Sequence, residues 1–86
     1  MKFNIDTKFN IGDAVYSAEP YEIYLANPMP YFVTDICIRA TRTKDVVITY
    51  KLIQNKLTDV VAENFLFATY EECKRWCDER NKEEEI

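Results

Sequence analysis

The sequence predicts an α+β domain: a small antiparallel β-barrel or strongly bent sheet of four or five strands, followed by one C-terminal α-helix. Three observations lead there. Residues 31–41 and 46–53 alternate apolar and polar across the short turn Thr43-Lys44-Asp45, which is the pattern of a β-hairpin. Thr69 stands three residues before Glu72 at the head of an amphipathic stretch, which is the pattern of a capped helix start. The remaining apolar runs are short and separated by Pro, Asn and Asp, so they read as further strands and turns rather than helices.

The helix is the most sharply written element. As N-cap, Thr69 can accept from the N–H of Glu72, while the Glu72 carboxylate reaches back to the N–H of Thr69. Glu71 and Glu72 also sit where the helix dipole favours negative charge. Tyr70, Cys73, Trp76 and Cys77 then recur on one face, and Trp76, the only tryptophan, is the expected anchor onto the strands. The helix is expected over about 70–81, and the like-charged tail 83–86 is expected to fray at the negative end of the dipole.

The strands follow in order. Residues 1–10 alternate at Phe3, Ile5 and Phe9 and read as an edge strand or an extended lead-in. Gly12, the only glycine, reads with Asp13 as a turn or bulge that aims the chain into a first strand through Val15 and Tyr16. Pro20 ends that strand. Residues 21–25 alternate again, with Tyr21, Ile23 and Leu25 on one face. Pro28 and Pro30 exclude a helix and a central strand and mark a loop. In the hairpin, strict alternation places Phe32, Thr34, Ile36, Ile38 and Ala40 on one face and Val33, Asp35, Cys37, Arg39 and Thr41 on the other. Val46, Ile48, Tyr50 and Leu52 are expected to face inward. Residues 54–56 form the next turn, and Val60, Val61 and 65–67 supply the last strand pieces, with Asn64 at a bulge or turn. The chain therefore reads as one domain over 1–86: lead-in 1–10, bent sheet or barrel 11–68, helix 69–82 and tail 83–86.

Composition narrows the function classes. The 86 residues are 48% hydrophobic and 14% aromatic, enough to fold around a modest core. The net charge of −4 argues against general affinity for nucleic acid or an anionic membrane. That charge is unevenly spread. Residues 39–56 carry five bases against Asp45, for +4, whereas 57–86 carry nine acids against four bases, for −5, and 1–38 hold the remaining −3. No run is long and apolar enough for a membrane span. Three cysteines are an odd number and make no disulfide framework, and Cys73 and Cys77, one helical turn apart, are badly placed to bridge. The expected setting is a reducing cytoplasm. With no histidine, Gly-rich phosphate loop or nucleophile elbow, neither enzyme chemistry nor a cofactor nor a metal is expected. Neighbouring acids such as Glu71/Glu72 and Asp78/Glu79 read as capping or solvated residues, since acid–base work needs carboxyls facing across a cleft.

Two strings carry a resemblance. Phe9-Asn10-Ile11-Gly12-Asp13-Ala14-Val15-Tyr16 resembles the first strand of SH3-like small barrels, where a Gly-Asp turn precedes an inward Val. Asn64-Phe65-Leu66-Phe67-Ala68-Thr69-Tyr70-Glu71-Glu72-Cys73 resembles the strand-to-helix ending of small phage and mobile-element proteins. Together they cover roughly a fifth of the chain. The resemblance implies an SH3-like barrel. It also implies a phage-encoded inhibitor of a bacterial host or defence protein, of the anti-CRISPR type, acting in the host cytoplasm. No functional residue transfers with it.

The residues themselves leave three readings open. Tyr21, Tyr24, Tyr31 and Phe32, on a segment stiffened by Pro20, Pro28 and Pro30, are more rings than a small barrel can bury. They suit a protein-binding surface with low ordering cost. The alternative is that they fold back onto the barrel. Arg39, Arg42, Lys44 and Lys51, with Tyr50 nearby, are the minimal footprint of a nucleic-acid surface, or else an ordinary solvated hairpin. Self-association through an exposed apolar face, as in a homo-oligomeric structural component, is the third.

Overall fold

The structure, a computed structural model, describes residues 6–43 and 45–84. The part of the expected lead-in over 1–5 and the last two tail residues lie outside them. Among the described residues, six strands and one helix follow in order: β1 (Ala14–Pro20), β2 (Tyr24–Ala26), β3 (Tyr31–Ala40), β4 (Val46–Gln54), β5 (Leu57–Ala62), a 3-10 turn (Glu63–Phe65), β6 (Leu66–Phe67) and α1 (Tyr70–Glu84). All pairings are antiparallel. The sheet order is β2-β1-β3-β4-β5, and β6 returns to pair with β1. Among the described residues no ladder joins β5 to β1, so the sheet is bent without closing into a barrel.

Local chemistry explains the main features. Gly12 has φ +93°, which an L side chain rarely adopts, and nothing lies within 4 Å of where a Cβ would stand. The glycine is therefore required by backbone conformation rather than space. Its N–H donates to the Val33 carbonyl at 2.8 Å, and the Val33 N–H donates to the Asp13 carbonyl at 3.0 Å, which locks the turn onto β3. Asn55 and Lys56 both have positive φ (48° and 69°), as a two-residue hairpin turn requires, and they join β4 to β5.

In β3 the structure departs from strict alternation. The register with β4 shifts between Val33 and Asp35. Thr34 is the extra residue, and its hydroxyl donates to the Lys51 carbonyl at 3.1 Å. The bulge turns the strand over by one residue. Val33 opposite Leu52 and Ile36 opposite Tyr50 consequently share the inner face, and Phe32, expected on the side of Ile36, lies on the outer one with Asp35, Cys37 and Arg39.

Two clusters make the core. Phe9, Val15, Val33, Tyr50, Leu52 and Leu66 fill the bend of the sheet. Ala18, Phe67, Cys73 and Cys77 join β1, β6 and α1, with Tyr16, Tyr24 and Trp76 packed around them. β1 is covered on both faces, which is why its sequence shows no alternation. The helix starts as expected: the Glu72 N–H donates to Thr69 Oγ1 at 3.2 Å. The return bond differs, because the Thr69 hydroxyl rather than its amide donates to the Glu72 carboxylate, at 3.3 Å. The helix runs to Glu84, one turn beyond the expected end, with a Lys74–Asp78 ion pair at 3.2 Å on its exposed side.

Candidate interaction surface

The four aromatic candidates do not form one surface. Tyr24 is taken by the helix: its ring stands edge-on to Trp76 at 5.0 Å and stacks on Phe65 at 6.2 Å. The Tyr24 main chain is bound as well. Its N–H donates to Asn81 Oδ1 at 2.8 Å, and its carbonyl accepts from Asn81 Nδ2 at 2.9 Å. Tyr31 is tied into a polar knot, donating its hydroxyl to Glu19 Oε1 at 3.0 Å, where Asn27 Nδ2 also donates at 3.1 Å. Burial pushes the Tyr31 hydroxyl above the usual tyrosine pKa, and the adjacent Glu19 carboxylate pushes it further. Tyr21 (67% exposed) sits in the β1–β2 turn, and Phe32 (48% exposed) stands at the start of β3. The two rings remain exposed but lie at opposite ends of β1, since Phe32 is opposite Ala14 and Tyr21 follows Pro20.

The sheet instead unites members of both candidate sets. On the outer face of β3-β4-β5, Phe32, Ile53 and Thr58 stand in one row across the strands. The next rows are Asp35, Lys51 and Val60, then Cys37, Thr49 and Ala62, and finally Arg39 beside Val47. Phe32, Val60 (64% exposed) and Val47 thus share a solvent face with Lys51 and Arg39. Cross-strand neighbours stand close enough to act as one patch. Arg42 lies in the β3–β4 turn, and Lys44 lies outside the described residues. Val60 was not singled out from sequence, because in Val60-Val61 two β-branched residues give no sign of which faces out. The pairing settles it, placing Val61 opposite the buried Tyr50.

A second feature lies where the sheet fails to close. A cleft of about 330 Å³ separates residues 17–20 of β1 from residues 59–62 of β5. Its walls are largely apolar, with Ala18, Pro20, Val60, Val61, Ala62 and Phe65, and Glu19 of β1 and Asp59 of β5 line it from opposite strands.

A third group is internal. The Tyr50 hydroxyl donates to Glu63 Oε2 at 2.5 Å and accepts from the Phe9 N–H at 3.2 Å, while the Lys8 N–H donates to the same carboxylate oxygen at 3.0 Å. This network clips the segment before β1 onto the core. Burial raises the Tyr50 pKa, and Glu63 adds to the shift. Burial likewise pushes the Cys73 thiol up to about 12 and raises that of Cys77. Both thiols are therefore protonated core groups, poorly suited to nucleophilic or metal-binding roles. Cys37 is exposed on the outer face. Among the described residues no three His, Cys, Asp or Glu side chains are grouped to hold a metal ion, and no helix is long and apolar enough to cross a membrane.

Compared with known protein families, curated proteins and solved structures, the chain matches none.

Proposed function

We propose that this chain is a non-catalytic protein-binding module. The observation that carries the reading is the outer face of β3-β4-β5, where Phe32, Val47 and Val60 are exposed together and flanked by Lys51 and Arg39. Exposed apolar side chains interleaved with charged ones on one sheet face suit a protein contact. The partner in this reading is a bacterial host or defence protein and the chain a phage-encoded inhibitor of it, supported by the likeness of residues 64–73 to the strand-to-helix ending of small phage proteins. An SH3-like arrangement of the bent sheet is supported by the Gly12-Asp13 turn, which precedes the buried Val15 as in the first strand the chain resembles. Three free cysteines favour a cytoplasmic setting.

The test is capture of partners from bacterial lysate by the tagged chain, with and without nuclease, compared with Phe32→Ser and Val60→Ser variants. One protein retained under nuclease by the parent chain and lost by both variants is the expected result. Retention by both variants would remove the outer face from the reading.

A second reading is favoured by Arg39 and Lys51 sharing that face with Phe32: a strand surface for single-stranded nucleic acid, with the ring as stacking platform. It requires captures that vanish with nuclease and an affinity that falls steeply with salt. Self-association is read from the mass of the chain in solution.

A further inference from the structure

We propose that the free edge of β5 accepts an extended, cation-bearing peptide segment of the partner protein as an added strand. This deepens the protein-binding reading above and rests on it. β5 pairs with β4 on one side only. The Val60 N–H, which points away from β4, is satisfied by its neighbour, donating to Asp59 Oδ1 at 2.8 Å. Backbone groups alternate sides along a strand, so Thr58 and Val60 present their N–H and C=O groups to the free edge and Ala62 presents its N–H, its carbonyl being taken as N-cap of the 3-10 turn. An exposed edge of this kind is a template for pairing, and adding a strand is a common way to bind a peptide.

The cleft beside this edge specifies the occupant. Its apolar walls suit alternate side chains of an added strand, and Glu19 and Asp59 line it from opposite strands. Glu19 is held by three neutral donors, Tyr21, Tyr31 and Asn27. Among the described residues neither acid has a cationic partner. An incoming carbonyl would take over the Val60 N–H and release the Asp59 carboxylate. That carboxylate, with Glu19, would then meet a Lys or Arg side chain of the same segment. A second copy of this chain fits less well, because pairing β5 with β5 would gather both copies' Glu19 and Asp59 along one seam.

The experiment uses the full chain, isotope-labelled, titrated with a synthetic peptide of about eight residues that alternates Lys and Val. A twin peptide with Glu in place of Lys serves as the control. The expected result is movement of the Thr58, Val60 and Ala62 amide resonances with the Lys peptide and none with its twin. Asp59→Asn should weaken the Lys peptide by about tenfold, the loss of one charge-assisted contact. Val60→Pro removes an N–H that β4 does not use and should abolish binding, while core amide resonances such as those of Leu52 and Leu66 confirm that the variant folds. Equal response to both peptides, or none at millimolar peptide, overturns the proposal. A dimer that Val60→Pro dissolves also overturns it, by making the occupant a second copy. If lysate capture is lost in Phe32→Ser but kept in Asp59→Lys, whose side chain lies off the outer face, the protein-binding reading stands and the edge inference falls. If capture fails while the β5 amides still answer the Lys peptide, the edge stands and the reading of the outer face falls.

Discussion

The side-chain amide of Asn81 pairs with the main chain of Tyr24 in both directions, accepting from its N–H at 2.8 Å and donating to its carbonyl at 2.9 Å. Asn81, near the end of α1, thereby acts as the missing neighbour strand for β2, which has only three residues and one ladder. Around this clip the rings of Tyr24, Phe65 and Trp76 meet within about 5–6 Å, and Arg80 lies over the Trp76 ring at 5.1 Å. The helix is fastened to the sheet by this mixed polar and aromatic seam.

Asn81→Ala should accordingly destabilise the fold by about 1–3 kcal/mol, since two half-buried main-chain groups lose their partners together. The measurement is the urea midpoint. Amide exchange at Tyr24 should accelerate more than exchange in β3 and β4, because the loss is local.

Tyr50→Phe keeps the ring that packs edge-on against Phe9 but deletes the hydroxyl that joins Phe9 to Glu63. The expected cost is about 1–3 kcal/mol, as the Phe9 N–H is left buried without an acceptor. Faster exchange of the Lys8 and Phe9 amides, with β4 unchanged, would locate the effect in the segment before β1.

Alkaline pH should unfold the protein. Tyr31, Tyr50, Cys73 and Cys77 all have pKa values raised by burial, so the folded state holds their protons more tightly than the unfolded chain. A group raised on folding contributes stability that is fully present below its unfolded pKa and is lost as pH rises through its folded one. For Cys73 that window runs from 9.0 to about 12, and the tyrosines begin their loss at 10.0. Thermal midpoints should hold steady up to pH 9 and fall above it. The fall should be shallower in a Cys73→Ala variant, measured relative to that variant's own neutral value.

The three thiols should separate cleanly toward a soluble disulfide reagent. Cys37 is exposed and should react at once, whereas Cys73 and Cys77 are buried and protonated and should react only at the rate of opening. Stopped-flow thiol titration with and without denaturant reads this directly. Three fast thiols in native buffer would contradict the placement of the two on the helix.

Gly12→Ala tests the turn before β1. No atom obstructs the new methyl group, so its cost comes from the φ of +93° alone and should be about 1–2 kcal/mol. A neutral result by denaturant titration would mean that the turn relaxes freely, against the paired bonds of Gly12 and Val33.

Much of this architecture can be read along the chain because it rests on local chemistry. The Thr69 cap, the stripe of Cys73, Trp76 and Cys77, the turn at Gly12 and the long hairpin follow from side-chain spacing and backbone preference within a few residues. The candidate surface was only half legible. Phe32, Arg39 and Lys51 stood out by type, but their sharing one face did not, because the Thr34 bulge reverses the alternation that sequence periodicity assumes. For Tyr24 and Tyr31 the sequence leaves open whether the rings are free or fold back onto the sheet. Whether a ring is free depends on partners far along the chain, here Asn81 for Tyr24 and Glu19 for Tyr31.

By itself, then, the sequence determined the class of the domain, its C-terminal helix and the alternation that builds the hairpin, since each is written in residues that touch their near neighbours. Only the tertiary structure decided that the sheet stays open between β1 and β5, that Val60 faces outward, and that Glu19 and Asp59 line one cleft. The first and last of these join residues about forty positions apart, while the facing of Val60 is set by the β4 register that puts Val61 opposite Tyr50. They are set by strand register and by how far a bent sheet curls, and no local preference encodes either one.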